Sequence, residues 1–218
     1  MEIFGFDTDK CWDYENGFYL TSHPSRLAKA LAQYELYKMI LKIPGDVVEC
    51  GVYKGASLIR WLTYREILEG AEKRRIIGFD TFDGFHNPIN KKDKEFVDKF
   101  IQEGGIGISP EELKKLLWDT KDFGNFGLRQ HDIRNIPERQ DSDITKIALL
   151  HVDLDVYDAT RTCLELFWDK IVKDGLCVLD DYDDVLGATR AIDEFFADKD
   201  VKFEGFSISP KPIFVRKP

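Results

Sequence analysis

The feature that most restricts the fold is an alternation of short β-branched runs with stretches at helical spacing, beginning at Val47-Val48-Glu49-Cys50. A glycine-bounded turn, Gly51 to Gly55, follows that run, and residues 56–68 then repeat Leu58, Trp61, Leu62 and Ile67 at helical period. The pattern returns downstream: residues 75–79, 126–131, 147–152 and 176–179 read as strands, with 160–168 and 188–196 as the helices after the fourth and fifth. Ser109-Pro110-Glu111-Glu112 sets a capping serine, a proline at the first helical position and a glutamate three residues after the cap, which starts the helix before the third strand. Alternation of this kind predicts a doubly wound α/β fold, because right-handed crossovers place helices on both faces of a parallel sheet. Residues 203–208 and 213–216, separated by Ser-Pro-Lys-Pro, close it as an antiparallel hairpin and complete a mostly parallel seven-stranded sheet.

Two stretches stand apart from this core. Residues 1–44 hold an aromatic leader (Phe4, Phe6, Trp12, Tyr14, Phe18, Tyr19) and an amphipathic helix from Ser25 to Leu41, with Leu27, Leu31, Tyr34 and Met39 or Ile40 on its apolar face. So apolar a leader is expected to pack on its own domain or on a second subunit of a homo-oligomer. Residues 45–218 form the main domain, interrupted at 81–107 by a polar insertion that is either a lid over a site or a solvated excursion.

Charge and composition exclude several classes of partner. The 31 Lys and Arg against 40 Asp and Glu give a net charge of −9, which disfavours nucleic acid, since phosphate binding depends on clustered positive charge. With 43% hydrophobic and 33% charged residues, and no apolar run near the ~20 residues of a membrane helix, no membrane partner is expected. The acidic start (Glu2, Asp7, Asp9) does not resemble a secretory signal, so a cytoplasmic location is expected. The four cysteines (Cys11, Cys50, Cys163, Cys177) show no CxxC spacing and read as reduced packing residues.

The turn Glu49-x-Gly51-x-x-x-Gly55 falls where ligands bind in this architecture, at the carboxyl end of the first strand. Val52 and Tyr53 occupy the loop and the spacing departs from GxGxxG, so pyrophosphate is disfavoured. Glu49 at the strand end suits a cationic ligand, and Asp80 at the next strand end can take two ribose hydroxyls. Acid, glycines and acid fit a ribonucleoside carrying a positive group.

These residues reach a family. Residues 45–57 (GDVVECGVYKGAS), 77–85 (IGFDTFDGF), 151–160 (HVDLDVYDAT) and 174–182 (DGLCVLDDY) resemble the macrocin O-methyltransferase family, with Leu154 standing where that family commonly has glycine. The resemblance implies an S-adenosylmethionine- and Mg²⁺-dependent enzyme that methylates a sugar hydroxyl, on a nucleotide-activated or polysaccharide-precursor sugar or a glycosylated natural product. It further implies that Glu49, Gly51, Val52, Tyr53, Gly55, Ser57, Asp80 and Thr81 hold the cofactor, with Asp132 near the adenine and Thr21 and Ser22 near its methionine end.

Asp153 ends the fourth strand and Asp180-Asp181 the fifth, and neighbouring parallel strands lie only ~4.8 Å apart, so three carboxylates converge. Oxygen donors of this kind favour Mg²⁺ over zinc and leave positions for water and a sugar diol. Asp153 therefore takes part in catalysis by holding the metal, and Asp155 is the candidate base, with His151, His86 and His131 in reserve. Asp158, Asp183 and Asp184 read as helix caps. Asp153-x-Asp155 after an apolar strand also resembles the nucleophile motif of haloacid-dehalogenase-type phosphotransferases, but there it belongs on the first strand. A non-catalytic sugar-nucleotide-binding module is the remaining alternative.

Overall fold

The computed structural model describes residues 1–70, 73–85, 91–136 and 141–218, the side chains of 91 and 92 excepted. The leader forms a two-stranded ribbon, β1 (Glu2–Ile3) and β2 (Phe6–Asp7), then α1 (Cys11–Thr21) and α2 (Pro24–Met39). The core follows as β3 (Asp46–Cys50), α3 (Ala56–Leu68), β4 (Ile76–Asp80), α4 (Lys91–Gly104), α5 (Pro110–Lys115) and β5 (Phe126–Gln130). Then come β6 (Ile147–Val152), α6 (Tyr157–Phe167), β7 (Ile171–Leu179), α7 (Leu186–Phe196), β8 (Phe203–Phe206) and β9 (Ser209–Arg216).

Seven strands make one sheet in the order β5-β4-β3-β6-β7-β9-β8, parallel from β5 to β7 and antiparallel at β9 and β8, as the alternation predicts. The central strands read as unbroken apolar runs because both faces are covered: all of Ile147–Val152 is buried, as are Val47, Val48, Ile76 and Ile77. One apolar layer gathers Phe79, Cys163, Phe167 and Ile192, the other Leu36, Tyr37, Trp61 and Leu149. The order in which strands are added reverses between β3 and β6, so the loops after these strands part and leave a crevice at their carboxyl ends.

Several local expectations are corrected. The buried face of α2 is Ala32, Gln33, Leu36 and Tyr37, whereas Leu27 and Leu31 are exposed, because α2 rests on α3 and β9 through its second half. Ser209-Pro210-Lys211-Pro212 lies within β9 instead of forming the turn; β9 pairs with β7 only over residues 213–216, so the prolines remove no bond from that ladder. The aspartate caps are also different. Helix α6 is capped at Val156 and α7 at Val185, neither with a side-chain bond, and the free amide of Tyr157 donates instead to Asp93 Oδ2 at 2.8 Å. Asp93, 3% exposed, thus ties α4 of the insertion to the start of α6. Helix α1 buries none of its residues, with Trp12, Tyr19 and Leu20 exposed. Cys50, Cys163 and Cys177 are buried and free, while Cys11 is free but exposed. Among the described residues no helix is long and apolar enough to cross a membrane.

Candidate active site

A cavity of about 530 Å³ opens at the carboxyl ends of the parallel strands and is lined by residues that follow β3, β4, β5, β6 and β7. The glycine turn forms one wall. Gly51 has φ +95°, and a Cβ on it would lie 1.6 Å from the backbone oxygen of Asp153, so only glycine lets the turn after β3 pass the loop after β6. Gly55, at φ +80°, caps α3 behind the wall. Asp80 holds the turn's shape: Oδ2 accepts from Val52 N at 2.7 Å and Tyr53 N at 2.9 Å, and Oδ1 accepts from Phe82 N at 2.7 Å. The Thr81 hydroxyl also lies 3.4 Å from Oδ1, so each oxygen already faces two donors of the protein, which leaves less room for the two-hydroxyl grip expected from sequence.

Glu49 does not reach the cavity. It is fully buried beneath the turn, where Ser57 Oγ donates to Oε1 at 2.6 Å and Oε2 faces His151 Nδ1 at 3.8 Å. His151, also fully buried, stands between two carboxylates, with Nε2 3.5 Å from Asp180 Oδ1. Burial opposes its charge, but Asp180 and Glu49 outweigh that and push its pKa up to about 10. Glu49 Oε2, both ring nitrogens of His151 and Asp180 Oδ1 have no hydrogen-bond partner among the described residues. Ser57 and Thr81 line the cavity, whereas Glu49 does not.

Asp153, Asp155, Asp180 and Asp181 converge on the same wall. His151, Asp153 and Asp180 bring one ligand atom each within 4.8 Å of one another, the spacing of a cation site. Burial and then the charges of Asp180 and Asp181 hold the Asp153 carboxyl well above its ordinary value; burial and Asp180 push Asp181 up to about 6. Asp155 is raised by burial and by Asp181 and Asp180, and its backbone sits at φ +63°. Asp180 goes the other way, because His151 and the Lys29 ammonium beside it overcome its burial. Crowded, buried, oxygen-rich donors with an orphaned Asp180 Oδ1 fit a hard divalent cation. Asp181 also shapes the loop carrying Asp153 and Asp155, since its Oδ2 accepts from the amides of Leu154 at 3.2 Å and Asp155 at 2.9 Å.

Other expected residues are placed variously. Asp132 lines the cavity, but it caps the 3₁₀ turn at 133–135 and its Oδ2 pairs with Arg134 at 2.6 Å. Thr21 and Ser22 end α1 and are not part of the lining; Arg26 and Lys29 of α2 and Arg60 of α3 are there instead. His131 lines the cavity, and His86 lies outside the described residues. The insertion contributes Phe100, Ile101, Gly105 and Gly107 to the lining. It is fastened to the glycine turn, where the Tyr53 hydroxyl and Lys54 Nζ both donate to the Gly104 carbonyl, the latter at 2.9 Å.

Lys29 and Arg60 escaped the sequence reading. Arg26, Lys29 and Gln33 are spaced three and four apart on α2, and Arg60 donates to Gln33 Oε1 at 3.0 Å. That polar stripe on an otherwise amphipathic helix was the available signal.

A seven-stranded sheet of this order, with a glycine turn after β3, an acid after β4 and acids after β6 and β7, defines a class I, Rossmann-like methyltransferase fold. The particular family follows from sequence: residues 26–217 match the macrocin O-methyltransferase (TylF) profile, and the chain belongs to that family. Its order also removes the dehalogenase reading, since Asp153-x-Asp155 follows the fourth strand of the large sheet. Among solved structures, the calicheamicin methyltransferase CalS11 is similar at a TM-score of 0.80 and 26% identity, covering 97% of this chain and 86% of that one. The O-methyltransferase NovP shares the fold, with a TM-score of 0.72 at 19% identity over 87% of this chain and 79% of NovP. A tetracenomycin rhamnosyl 4'-O-methyltransferase of Streptomyces olivaceus is 26% identical over 64% of this chain and 54% of its own length. Demethyldecarbamoylnovobiocin O-methyltransferase of Streptomyces niveus is 26% identical over 79% of this chain and 66% of its own length. The chain thus spans about half to two thirds of the length of these curated relatives.

Proposed function

We propose that this protein is an S-adenosylmethionine-dependent O-methyltransferase that acts, with Mg²⁺, on a sugar hydroxyl of a sugar nucleotide, polysaccharide precursor or glycosylated natural product. The observation that carries this reading is the convergence of the glycine turn and the Asp153/Asp180 cluster on one cavity, in a chain that belongs to the macrocin O-methyltransferase family. The rhamnosyl acceptor in the name of the Streptomyces olivaceus relative supports a sugar as substrate.

When bound, S-adenosylmethionine supplies an electrophilic methyl group and Mg²⁺ supplies positive charge beside the acceptor oxygen. Gly51, Val52, Tyr53, Ser57, Asp80 and Thr81 hold the cofactor at the turn, with Gly55 and Glu49 supporting it from behind and Asp132 at the far wall. Asp153, Asp180 and Asp181 hold the metal; Asp181 Oδ2 also fixes the loop that presents Asp153, and His151 supports Asp180 from beneath. Asp155, on the cavity wall beside that cluster, takes the hydroxyl proton as the oxygen attacks. The insertion around 81–107 and the leader of residues 1–44 enclose the acceptor, and the exposed aromatic face of α1 packs in a homo-oligomer. The enzyme works in the cytoplasm on a small-molecule acceptor, with no nucleic-acid or membrane partner.

Calorimetry of the full chain with S-adenosylhomocysteine, with and without Mg²⁺, followed by a screen of sugar nucleotides and glycosylated natural products for S-adenosylhomocysteine release, tests the reading. Binding of the cofactor product and metal-stimulated release with one acceptor class are expected. A folded protein that binds no S-adenosylhomocysteine overturns it.

A further inference from the structure

Among the described residues, Lys29 joins the cluster from outside the sheet. It reaches from α2 to Asp180, 151 positions away in sequence, and its Nζ lies 2.5 Å from Asp180 Oδ2. Asp180 is only 8% exposed, whereas the Lys29 side chain is 27% exposed and lines the cavity. The carboxylate is therefore fixed and the ammonium sits at the end of a flexible stem with open space beside it. The negative charges of Asp153, Asp180 and Asp181 all bear on this one ammonium. Buried carboxylates so close to one another need positive groups among them: His151 lies beneath Asp180, and in the protein without metal the Lys29 ammonium is the positive group on the cavity side.

From this geometry, and resting on the metal reading above, we infer that Lys29 is a resident counter-cation that occupies Asp180 in the metal-free enzyme and is displaced from it when a divalent ion enters. An ion at ~2.1 Å from a carboxylate oxygen and an ammonium within hydrogen-bond distance of the same group repel each other, so entry of one weakens the hold of the other. Metal uptake is then coupled to α2: the released ammonium swings toward the cavity, and the helix that bears it loses its tether to β7. Lys29 is a positioning residue in this account, acting on the site through Asp180.

Mn²⁺ serves as the probe, measured by calorimetry and by its electron paramagnetic resonance signal on the full chain, for wild type, Lys29→Gln and Lys29→Arg. Removal of the competing charge is expected to tighten Mn²⁺ binding by about tenfold or more in Lys29→Gln, while Lys29→Arg, which keeps the charge, stays near wild type. Thermal melting gives a second readout: metal-free Lys29→Gln melts below wild type, and saturating Mn²⁺ raises its Tm by more than it raises that of wild type. Clear Mn²⁺ binding with equal or weaker affinity in Lys29→Gln overturns the role of Lys29 and leaves the metal site standing. No Mn²⁺ binding by any of the three folded proteins overturns the metal reading and this inference with it.

Discussion

The two ends of the large sheet bury charge in opposite ways. At the amino end, Arg65 and Arg74 are 0% and 8% exposed, and their donors are nearly all used. Arg74 reaches both oxygens of Glu69 at 2.7 and 2.8 Å and the carbonyls of Ile40, Ile43 and Gly45, while Arg65 takes the carbonyls of Arg74, Gly124 and Asn125; only Arg65 Nε lacks a partner. At the carboxyl end, Glu49, His151 and Asp180 are just as deep and carry four unpartnered polar atoms among them. Burying a charge is costly in either place, and at the amino end the protein's own backbone offsets that cost. At the carboxyl end the imidazole and the two carboxylates offset it only by facing one another at 3.5 to 3.8 Å, without hydrogen bonds, as in a site completed by ligands.

The comparison can be broken in order of expected effect. Arg74→Met strands the Glu69 carboxylate, so urea denaturation is expected to show a loss of about 3–5 kcal/mol, with the rate per folded molecule unchanged. Asp153→Asn at the other end is expected to lower metal-stimulated S-adenosylhomocysteine release by about 100-fold or more, while leaving the metal-free Tm equal or higher, because it removes a crowded charge. Loss of stability in that variant would place Asp153 with the structural charges. A smaller effect concerns pH. Burial raises the Glu69 pKa, but Arg74 and Tyr37 outweigh it and hold the carboxyl below its ordinary value. The folded state therefore binds fewer protons than the unfolded chain just below neutral-to-acid transition, and the contribution of Glu69 is present above its unfolded pKa of ~4.3 and lost as pH falls through the folded value. Denaturation between pH 6 and 3 should show this loss, and Glu69→Gln should flatten it. The smallest change is Tyr53→Phe, which removes one bond from the insertion to the glycine turn; about 1 kcal/mol or less of stability is expected, with a larger relative change in the KM for the acceptor.

Strand ends were readable because a β-branched run stops at a definite residue, and Asp80, Asp153, Asp180 and Asp181 follow such stops directly. Which way each carboxylate turns was not readable. Asp181 and Asp153 both follow strands, yet Asp181 Oδ2 turns to two backbone amides, and His151, an apolar-strand residue with no local sign of a site, comes to lie beside Asp180. Glu49 carried the family motif but lies under the turn instead of at the cavity, since its side chain alternates to the layer shared with Ser57. The Ser109 cap, local in sequence, holds, with Oγ accepting from Glu112 N at 3.2 Å, whereas the aspartate caps fail: the partner of the Tyr157 amide is Asp93, 64 residues away.

The sequence by itself determined the order of strands and helices, the glycine required at position 51 and the acids at four strand ends, because these depend on local periodicity and on backbone sterics. Tertiary structure alone decided that α2 supplies a cation to Asp180, that Asp93 caps α6, and which buried charges are satisfied. Each of those depends on the approach of atoms far apart in the chain, and electrostatic balance in a buried site is fixed by distances that no local pattern encodes.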